Sequence, residues 1–188
     1  LDAEGRQWQR QPEPIYRPEP DDWDGVFVTG TSVLIGPDGV WRLYYSGAGT
    51  TVGVGLLTSN DGVTWEPSPD NPVFERELGA WDEATIEPTV RYFGGKYWMW
   101  YAGYVEPLGD DTRIAIGLAT SDDGVHWQRE PDNPVLEPGA TGTWNDLRVL
   151  SPEVLVEEDG SLLMAAYGCN ERSQCREGEM AVGLWQSR

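Results

Sequence analysis

Three tryptophans, each followed by an acidic residue or its amide, recur along the chain: Trp23-Asp24, Trp81-Asp82 and Trp144-Asn145-Asp146. Carboxyl groups at such points could do acid and base work on an oxygen leaving group, one giving a proton while another activates water or attacks carbon. The indole rings beside them could lie against the C–H face of a pyranose. Arg148 follows close behind the third pair as a donor for sugar hydroxyls, and Glu83 and Glu153 bring further carboxylates near the same segments. Ordinary structural roles compete, because an aspartate after tryptophan commonly caps a turn and aromatic rings pack cores. Both readings stay open for Asp24, Asp82, Asp146, Trp23, Trp81 and Trp144.

What must position these residues is a repeat. The pairs stand roughly 60 residues apart, the length of one four-stranded blade of a β-propeller. Thr31 to Phe74 reads TSVLIGPDGVWRLYYSGAGTTVGVGLLTSNDGVTWEPSPDNPVF; Pro88 to Leu136 repeats it with a longer central loop; a third copy from Pro152 closes on MAVGLWQSR at Arg188. Each copy predicts four strands, in the first an inner Thr31–Ile35, then Val40–Ser46, Val52–Thr58 and an outer Val63–Glu66. The third copy lacks its last strand, and residues 4–10, EGRQWQR, match the outer strands at Trp65 and Trp127. An N-terminal strand that completes a C-terminal blade spends a free sheet edge. The expectation is an all-β fold, one propeller domain over 1–188 with repeats near 24–80, 82–143 and 145–188 plus 1–22. The short uniform turns fall on one side of such a disc. The variable loops and Trp-Asp segments gather on the other, where a surface site belongs.

Composition narrows the partners. With 32 acidic against 13 basic residues and a formal charge of −19, the chain repels nucleic acid and anionic membrane, leaving neutral glycans, cations or protein. No apolar run approaches the ~18 to 20 residues of a membrane span. Cys169 and Cys175 are the whole thiol inventory and fall in one hairpin loop, which predicts a disulfide and hence a secreted or cell-surface protein. Free thiols are the other reading. His126, the one histidine, is expected solvated, so a histidine metal site or a Ser-His-Asp triad is not available. No cofactor is expected; calcium is the ion that Asp21-Asp22 with Asp24, Asp110-Asp111 or Asp122-Asp123 would take, solvated turns being the alternative.

The phrases WDEATIEPTV, YWMWYAG, IAIGLATSDDGVHW and NPVL resemble the five-bladed β-propeller glycosidases: arabinanases, β-xylosidases, invertases and levansucrases. The likeness covers almost the whole chain. It implies a propeller that binds and hydrolyses a polysaccharide through three carboxylates on inner strands of successive blades: an Asp base or nucleophile, an orienting Asp and a Glu acid. The positions that match are Gly30, Glu87 and Ser151, of which Glu87, in Ile86-Glu87-Pro88, resembles the acid. The other two are blank, which favours the alternative of a non-catalytic propeller for carbohydrate binding or self-assembly. SNDGVTW at Ser59 and SDDGVHW at Ser121 resemble the sialidase Asp box, one residue shorter, and predict turns closed by an Asp side chain with the Trp packed between blades. Three blades leave a ring of the usual ~4 to 8 unfinished. A missing partner fragment, a second copy exchanging N-terminal strands, or a filament would supply the rest.

Overall fold

The computed structural model describes residues 8, 10–170, 175 and 180–187. These form three antiparallel sheets in chain order and no helix. Sheet 1 holds β1 (Phe27–Ile35), β2 (Trp41–Ala48), β3 (Val52–Ser59) and β4 (Glu66–Pro67), with β5 (Phe74–Glu75) also on β3. Sheet 2 holds β6 (Ala84–Phe93), β7 (Lys96–Tyr104), β8 (Ala115–Ser121) and β9 (Gln128–Arg129); sheet 3 holds β10 (Arg148–Val156), β11 (Leu162–Cys169) and β12 (Ala181–Gln186).

Alternation along β7 shows why this order holds. Tyr97, Met99 and Tyr101 point to one side and join Tyr44, Val54 and Leu56 of sheet 1 in a core. Trp100, with Trp98 packed beside it, points to the other side and meets Val154, Ala166, Met164 and Trp185 of sheet 3. A strand buried on both faces reads as a continuous apolar run, which is what YWMWYAGY is. Each such side chain, buried, stabilises the fold by about 1.5–3 kcal/mol. Sheet 2 is therefore the filling between two sheets that each have one face covered.

The outer strands are shorter than the sequence predicts, because the Asp-box-like turns consume their first residues. Asp61 Oδ1 accepts from the backbone N–H groups of Val63 and Thr64, 2.7 Å each, and Ser59 Oγ closes the turn at Gly62 N, 2.9 Å. Asp123 repeats this at Val125 and His126, 2.8 Å each. The second turn also docks on sheet 1, where the Tyr44 hydroxyl donates to Gly124 O at 2.8 Å and Trp127 meets the Tyr44 ring edge-on. The structural role expected of these turns is thus the observed one.

An unforeseen device holds the chain after each turn. Asn71 accepts from Leu56 N, 2.8 Å, and donates to Leu56 O, 3.0 Å, replacing a strand residue with a side-chain amide; Asn133 does the same to Leu118. Both asparagines precede a cis proline. The outer strand expected over 4–10 lies outside the described residues except for Trp8 and Arg10, which are exposed and in no strand. Among the described residues β12 has no strand on its second edge.

Candidate functional site

Each first strand is interrupted once, between Thr29 and Ser32, Ile86 and Thr89, and Leu150 and Glu153. At each bulge one residue takes the left-handed backbone: Gly30 at φ 54°, Glu87 at 56° and Ser151 at 51°. These are the three positions that the repeat aligned. Glycine occupies this region without penalty, whereas Glu87 and Ser151 each bear a cost of about 1–2 kcal/mol. A bulge re-aims side chains, and here it brings three strands to one point.

Gly30 packs so closely that a Cβ on it would stand 3.1 Å from Ser46 Oγ and 3.3 Å from Glu87 Cα. Glu87 N donates to Ser46 Oγ at 2.7 Å, which fixes the strained backbone from sheet 1. Ser151 fixes the side chain from sheet 3, its N and Oγ both donating to Glu87 Oε2 at 2.8 Å. Among the described residues Oε1 accepts from no protein group. Tyr104 stands behind this point; burial first, then the charges of Glu106 and Glu87, raise its hydroxyl above the usual phenol range. The result is a half-buried carboxylate with Oε2 held by the protein and Oε1 without a protein donor among the described residues.

The other expected carboxylates lie elsewhere. Asp24 is fully buried, with Oδ2 accepting from Tyr45 Oη at 2.9 Å and Tyr16 Oη at 3.0 Å. Asp82 is buried too, with Oδ2 accepting from Tyr101 Oη and Arg129 Nε, 2.8 Å each. Asp146 is buried and accepts from Gly142 N. At each segment the tryptophan lies against a glycine of the second strand and its neighbour turns inward with it. Trp23 and Asp24 press on Gly47, Trp81 and Asp82 on Gly103, and Trp144 and Asn145 on Gly168. Asp24 thus meets the Tyr45 and Gly47 side of β2, while Ser46, reaching Glu87, points to the other. Glu83 caps Gly79 N at 2.8 Å, and Glu153 pairs with Arg91.

The tryptophans divide. Trp23 packs on Tyr45 and Trp144 on Trp185, ring centroids 6.0 and 6.1 Å apart. Trp81 stacks on Tyr101 and also lines a cleft of about 410 Å³ with Val105, Thr112, Arg113, Pro134 and Glu137. Arg148 shapes that cleft from behind: its Nε donates to Thr112 O and its Nη2 to Gly109 O and Asp110 O, which pins the β7–β8 loop. Arg148, a substrate-contact candidate in the sequence, makes these bonds to backbone carbonyls. Arg129 went unnoticed, although it joins Asp82, Glu75 O and the face of Phe74. Cys169 and Cys175 form the expected disulfide. His126 is exposed, its Nδ1 2.8 Å from Asp123 Oδ2. No group of three or more His, Cys, Asp or Glu suited to a metal occurs among the described residues, the aspartate pairs included. None of their helices is long and apolar enough to cross a membrane, there being no helix.

Solved structures share this architecture. One described as a glycoside hydrolase superposes with a TM-score of 0.75 at 21% identity, over 96% of this chain and 52% of its own. A β-1,2-mannobiose phosphorylase from Listeria innocua gives 0.65 at 15%, over 93% and 44%. The fold is propeller-like, as in these structures. In sequence, a 1,2-β-oligomannan phosphorylase of Thermoanaerobacter sp. (strain X514) is 26% identical over 130 residues, 63% of this chain and 42% of that protein. The chain therefore spans about half the length of the proteins it matches or less. No family model matches it.

Proposed function

We propose that this chain forms part of a carbohydrate-active, exported β-propeller in which Glu87 is the general acid. The observation that carries the reading is the meeting of three bulges on one carboxylate, strained in backbone and clamped on Oε2, with no protein donor on Oε1 among the described residues. Strain kept at a point where three strands over-determine it is characteristic of functional sites. A proton on Oε1 would pass to the glycosidic oxygen as the C–O bond breaks. The incoming nucleophile is water in hydrolysis and phosphate in phosphorolysis, and the two phosphorylase likenesses make phosphate a required arm of any assay. Trp81, at the floor of a cleft walled by a pinned loop, is the best-placed of the three tryptophans to stack on a sugar. The disulfide supports export.

A second reading has its own support: Gly30 and Ser151 put no carboxylate beside Glu87, while hydrolysis needs two carboxyl groups. In that case the chain binds glycans without cleaving them. The decisive measurement is turnover of aryl glycosides and β-1,2-linked manno-oligosaccharides, with and without phosphate, by the parent and by Glu87→Gln. The acid reading requires loss of at least ~100-fold in kcat with glycan binding retained. Equal turnover in the two proteins removes Glu87 as the acid, and a parent that binds but never turns over leaves the non-catalytic reading standing.

A further inference from the structure

We propose that the hydroxyl of Tyr104 belongs to the same site as Glu87, where it donates a hydrogen bond to a hydroxyl oxygen of the sugar unit beside that carboxylate. This deepens the reading above and rests on its placing of a glycan at Glu87. Tyr104 is 6% exposed. A phenol so far buried ordinarily gives its O–H to a protein acceptor. Tyr44, Tyr45 and Tyr101 do so, to Gly124 O, Asp24 and Asp82. Tyr97 lacks such a partner, yet its ring serves the Arg42 guanidinium, 5.2 Å from its centre. Tyr104 Oη has no protein partner among the described residues, nor is it sealed in as the unpartnered Thr85 Oγ1 and Trp127 Nε1 are. The ring is held by the protein while its polar end is left to something else.

Place and repeat say what that is. Tyr104 follows Gly103, and the residues that follow the equivalent Gly47 and Gly168 are Ala48 and Cys169. Small side chains therefore suffice to end the second strand in sheets 1 and 3. The phenol occurs in the one copy whose bulge carries a carboxylate. Its ring joins Ala84, Ala102 and Ile114 in a small cluster against which Val52 of sheet 1, Ile86 of sheet 2 and Leu150 of sheet 3 pack. Ile86 and Leu150 are the residues just before Glu87 and Ser151, so the cluster underlies the point where the bulges meet.

The surroundings select the ligand. Burial first, then the charges of Glu106 and Glu87, keep the Tyr104 hydroxyl protonated beyond the usual phenol range, so it remains a donor. Two carboxylates acting on one hydroxyl make the spot unfavourable for phosphate or another anion. A neutral sugar hydroxyl suits it, because that group accepts from a phenol and still has a proton to give to a carboxylate.

Tyr104→Phe removes the oxygen and keeps the ring, and its urea midpoint should equal the parent's because Oη bonds to no protein group. Calorimetric titration with β-1,2-linked manno-oligosaccharides, made in the Glu87→Gln protein so that nothing is consumed, should show binding about 3- to 10-fold weaker once Tyr104→Phe is added. An unchanged Kd, a loss seen only when phosphate is present, or a lowered urea midpoint would overturn the assignment. A weakened Kd beside turnover that survives Glu87→Gln would remove the acid and keep the Tyr104 contact. Turnover lost in Glu87→Gln beside an unchanged Kd would do the reverse, and a parent that binds none of these glycans would remove both.

Discussion

Sheets 1 and 2 hold a buried aspartate against a tyrosine of the second strand; sheet 3 has neither at the matching positions, its buried Asp146 accepting from Gly142 N instead. Asp24 meets Tyr45 and Asp82 meets Tyr101, whereas the matching pair in sheet 3 is Asn145 and Ala166. The losses go together for a physical reason. A carboxylate buried without donors is far costlier than a buried amide, so once the phenol is gone the acid is better replaced by Asn145, which takes a bond from Thr143 Oγ1 at 3.2 Å. The donor on the other flank differs too, Tyr16 on Asp24 and Arg129 on Asp82. These groups lock the Trp-Asp segment to its sheet and thereby set where the first strand starts.

The largest test of this contrast is Asp82→Ala set beside Asn145→Ala. Losing Asp82 takes the buried carboxylate from the guanidinium of Arg129 and the phenol of Tyr101, and should cost about 3 kcal/mol, near the low end for a broken buried pair because Arg129 keeps Glu75 O and some solvent. Asn145→Ala should cost about 1 kcal/mol. Urea midpoints decide it, and equal costs would mean that the clamp in sheet 2 is no stronger than the amide that replaces it.

Next in size is Tyr45→Phe, which removes one of two donors to Asp24 and should cost about 1–2 kcal/mol at neutral pH. It should also alter the alkaline limb. Burial first, then the bonds to Tyr16 and Asp24, raises the Tyr45 hydroxyl well above its ordinary value; burial and the Asp82 charge do the same for Tyr101. A group whose pKa is raised by folding gives stability fully present below its unfolded value, about 10, and lost as pH rises beyond it. The parent should weaken above about pH 10, and Tyr45→Phe with Tyr101→Phe should flatten that decline. Sheet 3, with Ala166 at this place, contributes nothing to it.

The contrast also explains what the sequence could and could not convey. Strand order, the three copies and the equivalence of Gly30, Glu87 and Ser151 were legible because all follow from period and turn residues, which are local. The inward turn of Asp24 and Asp82 was not, since it depends on Gly47 and Gly103 admitting an indole from a segment some 20 residues away. Arg129 was hidden likewise, its partners being Asp82 and Phe74 across two sheets. The repeated Asn-Pro at 71 and 133 was visible and carried a signal: an asparagine kept at one repeat position, ahead of proline, is suited to substitute side-chain for backbone hydrogen bonds. What the described residues do not reach is the strand expected over 4–10.

The smallest effect separates the two Asp-box-like turns, which differ at Thr64 and His126. Bonds from Thr64 N, Val63 N and Ser59 lower the Asp61 carboxyl to about 2. For Asp123, burial pushes upward, but the His126 ring and the amides of His126 and Val125 together drive it lower still; Asp123 in return raises the His126 imidazole. Both aspartates give stability present above their unfolded value, about 3.9, and lost as pH falls through the folded one. The histidine gives stability fully present below about 6.5 and lost as pH climbs through its raised value. His126→Thr should therefore leave stability unchanged near pH 9, lower it slightly near pH 5, and bring the Asp123 titration up toward that of Asp61. Carboxyl NMR titrations and urea midpoints at roughly those two pH values, either side of the histidine, read both effects. A loss of equal size at the two pH values would show that the ring acts by packing rather than by charge.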